Sequence, residues 1–379
     1  MDRIEKLLSV PTIDRKTNFW MIRTKQGAFF DEFLQDKYLA IGWNSISEEM
    51  LPVDLDAARS NRLKNRIRAV YGDSRPGTAL NKCIRFCREM KQRDIAVMVD
   101  RNRAAFVYIG DYYEEPSSDD DVEREKEAHR LIETATEEAR FIRCPYRKKR
   151  KIEVIRVLQG DEAISPYLQR AFAKNMHSLS SMNEYAELVL SACFDAFYYE
   201  DKLTVTFRVG REEEINAFDL TNLVLYAAKL LSADQPKTVR LKTTLHSPGD
   251  VILQLWDAVK ENALPLLFCY VAVFGGRAGD YELHSLIGVI KEFALSRYEK
   301  KKREIELRKL AADADLAEQE ALGKKLENLE KIKALDLVMA DTCVEPLAEA
   351  AHNLALRPSE ETVRRVRKIL DRHLKYQSK

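Results

Sequence analysis

Two tryptophans, each in a short apolar segment, are the residues of this sequence best suited to hold a flat ligand. Trp20 lies in residues 19–22 (FWMI), and Trp43 ends residues 39–43 (LAIGW). Short apolar runs of this kind are typical of buried strands. An exposed indole offers a face on which a nucleic-acid base stacks, whereas a buried indole is an ordinary core residue. The sequence is consistent with both roles for each tryptophan.

Other aromatic and acidic side chains in the same third of the chain could complete a pocket for a base. Asp94 and Asp111 could accept hydrogen bonds from the amino groups of a base edge. Both have a structural alternative, since Asp94 is suited to cap a turn and Asp111 adjoins an acidic segment. The tyrosines could equally pack on a sheet face. The expected base pocket comprises Trp20, Trp43, Asp94, Tyr108, Asp111, Tyr112 and Tyr113.

Positive charge is concentrated in two segments. Residues 59–103 contain 13 Lys and Arg against 4 Asp and Glu, and residues 140–156 contain 8 against 1. Such clusters are the electrostatic footprint of a polyanion partner, although solvated helix faces produce the same pattern. Phosphate contacts would position a nucleic acid without reading its sequence. The candidate phosphate-binding residues are Arg62, Arg66, Arg85, Arg147, Lys148, Lys149, Arg150 and Lys151.

An acidic segment separates the two basic ones. Residues 111–127 contain 9 Asp and Glu against 2 basic residues. Its composition predicts a flexible, solvated loop. A loop of this charge could also shield the basic surface when no ligand is bound.

The elements that would position these side chains follow from the spacing of apolar residues. Strands are predicted over residues 19–22, 39–43, 95–99 and 104–109. A turn with a short helix is predicted over residues 27–34, and longer helices over residues 54–71 and 78–90. Residues 1–16 are expected to form a lead-in helix or arm.

Six short segments stand in a characteristic order along residues 15–175. They are residues 18–22 (NFWMI), 40–43 (AIGW), 90–95 (MKQRDI), 107–111 (VYIGD), the basic stretch 141–158 and residues 164–166 (ISP). In this order they resemble the EVE/PUA-like reader domains often found at the N-terminus of bacterial restriction and phage-defence proteins. That family usually has a glycine before the aspartate of the MKQRDI segment, where this sequence has Arg93.

The resemblance implies a small, bent β-barrel with flanking helices that accepts a flipped-out or modified base in an aromatic pocket. Taking a base out of a duplex costs a few kcal/mol, which such a pocket recovers. The implied partner is nucleic acid, with DNA favoured over RNA. The implied role is DNA binding in antiviral defence.

In the second half of the chain, the residue pattern predicts helices over residues 165–197, followed by a small β-α-β-β module. The module's strands are expected at residues 202–209, 238–245 and 251–255, with a helix at 217–231. Its turn contains His246, Ser247 and Asp250, but catalytic triad members normally come from separate elements. Turn chemistry explains these residues better than catalysis does.

Residues 286–335 predict one long charged helix with irregular heptads, which could form a homo-oligomeric coiled coil. Shorter helices are expected at residues 343–356 and after Ser359. The apolar run at residues 263–274 is too short for the roughly 20 residues that cross a bilayer. We expect it to be a buried helix, with membrane contact through residues 263–275 as the less favoured alternative.

Recognised catalytic motifs are missing from the sequence. It contains no P-loop, no dinucleotide-binding glycine motif, no G-x-S-x-G and no H-E-x-x-H. Of the six cysteines only Cys83 and Cys87 are close, without the further ligands that a zinc site needs. We therefore expect no cofactor, no metal, reduced thiols and a cytoplasmic location.

Together these observations predict an α+β protein with three domains. They are a PUA-like reader over residues 1–178, a small α+β module over 179–278, and a helical oligomerisation or partner region over 279–379. The favoured function is non-catalytic nucleic-acid binding in phage defence, with the helical half oligomerising or signalling. The alternatives are a membrane- or protein-directed effector that senses a nucleotide-like ligand, and a divergent nuclease.

Overall fold

The α+β fold contains two compact units rather than three domains. Residues 16–193 form the first unit, and residues 1–15 with 194–379 form the second. The expected boundaries were residues 178 and 278, whereas these two units divide between residues 193 and 194; residue 278 lies outside the described residues. The structure, a computed structural model, describes residues 10–51, 54, 56–100, 102–134, 142–159, 164–210, 214–232, 239–243, 249–256, 269, 273, 295, 298–309, 316–364 and 368.

A six-stranded sheet that curls into a half-barrel forms the centre of the first unit. Its strands are β1 (Phe19–Arg23), β2 (Tyr38–Ile41), β3 (Ile95–Val99), β4 (Arg103–Glu114), β5 (Lys148–Gln159) and β6 (Leu179–Ser181). They lie in the order β2-β5-β4-β3-β1-β6. Only the β1–β3 pair is parallel among these neighbours. The long β4–β5 pair is irregular after Phe106 and Ile109, and such bulges increase the bend of a sheet.

The first unit contains six α-helices in its described part, and the first four contribute apolar side chains to one core with the sheet. The six helices are α1 (Phe30–Gln35), α2 (Ala57–Tyr71), α3 (Pro76–Ile84) with a π-helical turn at Arg85–Glu89, α4 (Asp121–Glu133), α5 (Pro166–Lys174) and α6 (Ala186–Cys193). The side chain of Asp56 caps α2 by accepting a hydrogen bond from Arg59 N, and Gly72 ends this helix with φ +65°. A left-handed residue at this position favours glycine.

Two sequence expectations for the first unit are wrong. Most of the acidic segment is ordered structure, because β4 continues to Glu114 and α4 begins at Asp121. Residues 165–197 are not all helical, because β6 lies between α5 and α6. The strand β7 (Ala196–Tyr199) then opens the second unit.

The second unit contains an antiparallel sheet in the order β7-β8-β10-β9. Its other strands are β8 (Lys202–Val209), β9 (Val239–Thr243) and β10 (Gly249–Trp256). The helices α7 (Ala217–Ser232) and α8 (Leu316–Asn353) share one hydrophobic core with this sheet. The N-terminal arm also belongs here, since Tyr198 N donates to Pro11 O at 2.8 Å. The predicted module and the predicted helical region are thus a single folded unit.

The charged helical region does not form one long helix. Residues 298–309 are helical, and Lys302 Nζ lies 2.9 Å from Glu330 Oε1 on α8. In a single helix a separation of 28 residues would place these side chains about 42 Å apart. The two segments therefore lie side by side. The helix expected at residues 343–356 is for the most part the end of α8.

Within the described residues no helix is long and apolar enough to cross a membrane. Of the apolar segment 263–275, only Cys269 and Val273 are described, and both are buried. The expected membrane or core role of this segment otherwise lies outside the described residues. The same holds for His246 and Ser247.

The paired helices can be tested by cross-linking. We expect the Lys302→Cys, Glu330→Cys double variant to react with a short bismaleimide within one chain, because the two side chains are in contact. Denaturing electrophoresis and mass spectrometry of the cross-linked peptides measure this product. A Lys302→Cys, Glu345→Cys variant is the control. Cross-linking of the control alone would contradict the pairing.

Candidate functional site

Trp43 has an unusual backbone conformation in the loop of residues 42–46, which we call the Trp43 loop. Its φ is +60°, in the left-handed region that few residues other than glycine adopt. Its ring is partly buried against the core and partly exposed. Strained residues of this kind persist only where the surrounding structure holds them, and they concentrate at functional sites.

Two buried charged side chains form hydrogen bonds with the backbone N–H and C=O of Trp43. Glu125 of α4 is 1% exposed, and its Oε1 accepts from Trp43 N at 2.6 Å. Lys148 of β5 is 0% exposed, and its Nζ donates to Trp43 O at 2.8 Å and to Ile46 O at 2.9 Å. Buried charges are tolerated where hydrogen bonds satisfy them, as they do here.

Tyr71 at the end of α2 extends this network. Its hydroxyl donates to Glu125 Oε2 at 2.9 Å and accepts from Ser45 N at 3.0 Å. Burial, and then the charge of Glu125, raise the pKa of Tyr71, so its hydroxyl stays protonated and remains a donor. Glu125 Oε2 also accepts from Asn44 N at 2.8 Å.

The side chain of Asn44 ties the Trp43 loop to the segment that leads into β5. Its Nδ2 donates to Pro145 O at 2.8 Å and to Asp121 O at 3.2 Å, and its Oδ1 accepts from Arg147 N at 3.0 Å. Three parts of the chain, the end of α2, helix α4 and residues 145–148, therefore fix one loop.

Gly42 leaves room for this arrangement. A Cβ atom at residue 42 would lie 2.4 Å from Glu125 Oε1, closer than real Cβ contacts allow. A larger residue would displace the carboxylate that binds Trp43 N. The glycine is thus required by the close approach of α4.

A lysine lies over the Trp43 ring. Lys82 Nζ of α3 lies 5.3 Å from the ring centroid, within the range of a cation–π contact. Burial lowers the pKa of Lys82, and the charge of Asp73 acts in the opposite direction. A cation and an aromatic face thus occur together at the surface of the first unit.

Trp20 and Asp94 do not form a ligand pocket, and the expectation that they do is wrong. Trp20 is 5% exposed and Asp94 is 2% exposed. The Asp94 carboxylate accepts from Trp20 Nε1 at 2.9 Å, from Asn18 N at 3.0 Å and from Lys91 N at 3.0 Å. Asp94 therefore fixes the turn before β3 to the start of β1.

The other expected pocket residues lie along β4 with separate contacts. The ring of Tyr108 stacks under Arg93, whose guanidinium carbon is 4.1 Å from the ring centroid. The hydroxyl of Tyr112 lies 3.5 Å from the thiol of Cys87. Asp111 is exposed, and Tyr113 is half-buried. The seven predicted residues therefore do not line one pocket. Among them, Trp43 is a partly exposed residue whose backbone is fixed by hydrogen bonds.

The basic stretch of β5 is largely structural, which corrects the expected phosphate-binding role of three of its residues. Lys148, Lys149 and Arg150 are all buried. Lys149 Nζ lies 2.6 Å from Glu115 Oε1.

Arg150 donates to backbone carbonyls at the end of the π-helical turn, including those of Phe86 at 2.7 Å and Met90 at 2.9 Å. It therefore satisfies carbonyls that a helix end leaves without donors.

The remaining basic candidates differ in exposure. Arg147 is nearly buried and lies 3.2 Å from Asp121. Arg85, which lies 3.7 Å from Glu89, is exposed. The other exposed members are Arg62, Arg66 and Lys151.

Sequence reasoning missed Glu125, Tyr71 and Lys82. A signal for Glu125 was present, because Asp121, Glu125, Ala128 and Ile132 recur at helical spacing and form the buried face of α4. The strongly acidic composition of the segment indicated a solvated loop instead of a helix with a buried face.

No protein-family model, curated protein or solved structure matches this chain. Among the described residues, no group of His, Cys, Asp and Glu is arranged to hold a metal ion.

Removing the Asp94 carboxylate should destabilise the first unit. In Asp94→Ala three donors lose a buried acceptor, and we expect a loss of about 3 kcal/mol in the free energy of unfolding. Urea unfolding followed by tryptophan fluorescence measures the change. Asp111→Ala removes an exposed carboxylate and should leave stability unchanged. Equal stability of both variants would contradict the role of Asp94.

Glu125→Ala should release the Trp43 loop. It removes the buried acceptor for Trp43 N, Asn44 N and the Tyr71 hydroxyl, so we expect a loss of about 3 kcal/mol in the free energy of unfolding. The matched control is Glu123→Ala, an exposed residue of the same helix. Unfolding midpoints and the tryptophan emission maximum are the measurements. A wild-type midpoint and maximum for Glu125→Ala would show that other contacts hold the loop.

Proposed function

We propose that the first unit binds nucleic acid by stacking a base on Trp43. The observation that carries this proposal is the partly exposed indole whose backbone is fixed in a left-handed conformation by Glu125 and Lys148. A ring held in this way is already ordered before a ligand arrives. Binding therefore costs little conformational entropy at this residue.

A base can replace Lys82 over the ring, because the free energy of stacking is at least as large as that of the cation–π contact. Stacking on an aromatic side chain stabilises a bound base by about 1–3 kcal/mol. A cation–π contact at an exposed site contributes about 0.5–1 kcal/mol. A flexible lysine side chain can move aside for the stronger contact.

Exposed arginines of α2 support a polyanionic ligand. Arg62 and Arg66 are four residues apart and so lie on one helix face. Both are exposed and have no hydrogen bond or ion pair in the part of the chain that is described. Guanidinium groups in this state are available for phosphates. They would position the strand, while Trp43 would hold the base.

The architecture is compatible with the EVE/PUA-like resemblance, since a curled sheet with flanking helices forms the first unit. On this basis we infer a reader of a base, including a modified base, in bacterial phage defence. DNA is the favoured partner. The second unit, with its charged paired helices, would then serve oligomerisation or contact with a partner.

Trp43→Ala tests the proposal in the full chain. We expect affinity for a mixed-sequence single-stranded DNA dodecamer, measured by fluorescence anisotropy, to fall about 10-fold to 100-fold because one stacking contact is lost. Trp20→Phe, which changes a buried ring and removes its hydrogen bond to Asp94 without touching Trp43, is the control and should bind as wild type does. The same affinity for Trp43→Ala and wild type would refute the stacking role.

A further inference from the structure

Lys82 of α3 is a partly buried cation that lies over an aromatic ring. Its side chain lies against the Trp43 ring, yet its ammonium group has no hydrogen bond or ion pair within the described residues. Lys149, by contrast, lies over an aromatic ring and also pairs with Glu115 at 2.6 Å. Among the described residues, the direct contact of the Lys82 ammonium group is therefore with the Trp43 ring.

Partial burial makes this ammonium group receptive to an anion. Loss of water disfavours the charged form of a lysine, and an opposite charge close to it restores that form. Asp73 contributes such a charge without forming an ion pair with Lys82 among the described contacts. A phosphate that arrived beside the ring would supply a closer one.

We propose that Lys82 covers the Trp43 ring in the free protein and pairs with a phosphate of the nucleic acid when a base stacks there. The inference rests on the proposed function and adds the residue that couples base stacking to backbone recognition. The four-carbon stem of lysine allows the ammonium group to leave the ring while it stays near the same rim. The base gains the ring face, and the released cation gains the phosphate.

The proposal predicts that one substitution weakens binding of a charged probe but not of an uncharged one. The probes are a mixed-sequence single-stranded DNA dodecamer and the same dodecamer with uncharged methylphosphonate linkages. Lys82→Gln should weaken binding of the charged dodecamer about 3-fold to 10-fold at low salt. The negative slope of log K against log salt should become less steep by about 0.7, because one phosphate contact is lost. Binding of the uncharged probe should be unchanged or tighter, because no cation competes for the ring.

Three further variants complete the experiment, all in the full chain with anisotropy as the readout. Lys82→Arg keeps the charge and should retain the wild-type slope. Lys174→Gln removes an exposed lysine on α5 and should bind both probes as wild type does. Trp43→Ala reports on the stacking proposal separately.

The outcomes separate the two proposals. If Trp43→Ala loses affinity while Lys82→Gln keeps both affinity and slope, the lysine inference is wrong and the stacking proposal stands. Equal weakening of both probes by Lys82→Gln would indicate a merely structural lysine and would also overturn the inference. Failure of the wild-type chain to bind either probe would overturn both.

Discussion

The conformation of the Trp43 loop depends on two buried charges of opposite sign. Glu125 accepts the N–H of Trp43, and Lys148 donates to its C=O. Neither charge would be tolerated in the interior without these bonds. Because each charged group satisfies backbone atoms of the same residue, the left-handed backbone of Trp43 and the burial of both side chains are mutually dependent.

This dependence explains the arrangement of the surrounding elements. Gly42 has no side chain that would displace Glu125, and Tyr71 supplies a hydroxyl whose proton is retained because its pKa is raised. Helices α2 and α4 must both reach the end of β2 for the network to form. An apolar loop would be simpler to bury, but it would not fix an indole ring at the surface.

Buried cations also account for much of the positive charge on β5. Lys149 packs on Tyr38, and Arg150 packs on Phe86 while binding backbone carbonyls, so both faces of the strand are covered at this point. In the sequence these charges indicate a polyanion-binding stretch, but in the structure they are buried and bind groups within the unit. The exposed positive charge comes from Lys151 of the same strand and from helix side chains such as Arg62, Arg66 and Arg85, with Lys82 beside the ring.

Local patterns in the sequence determined the first strands, the short helix after β1 and the basic helix α2. Their signals are apolar spacing and capping residues such as Asp56 and Gly72, which act within a few residues along the chain. The same patterns identified both tryptophans as candidates without distinguishing them. The sequence by itself also contained the buried stripe of α4, although the negative charge of the segment suggested a loop.

Only the tertiary structure decided which tryptophan is exposed and which charges are buried. Trp20 can be buried because its indole N–H donates to Asp94, which lies more than 70 residues away in the sequence. Trp43 is held at the surface because α4 and β5 bring Glu125 and Lys148 to one loop. The side-by-side helices of the second unit were undecidable for the same reason, since a charged helical pattern does not specify where a chain reverses. Contacts between distant segments set burial, and burial determines whether a charge or a ring is available to a ligand.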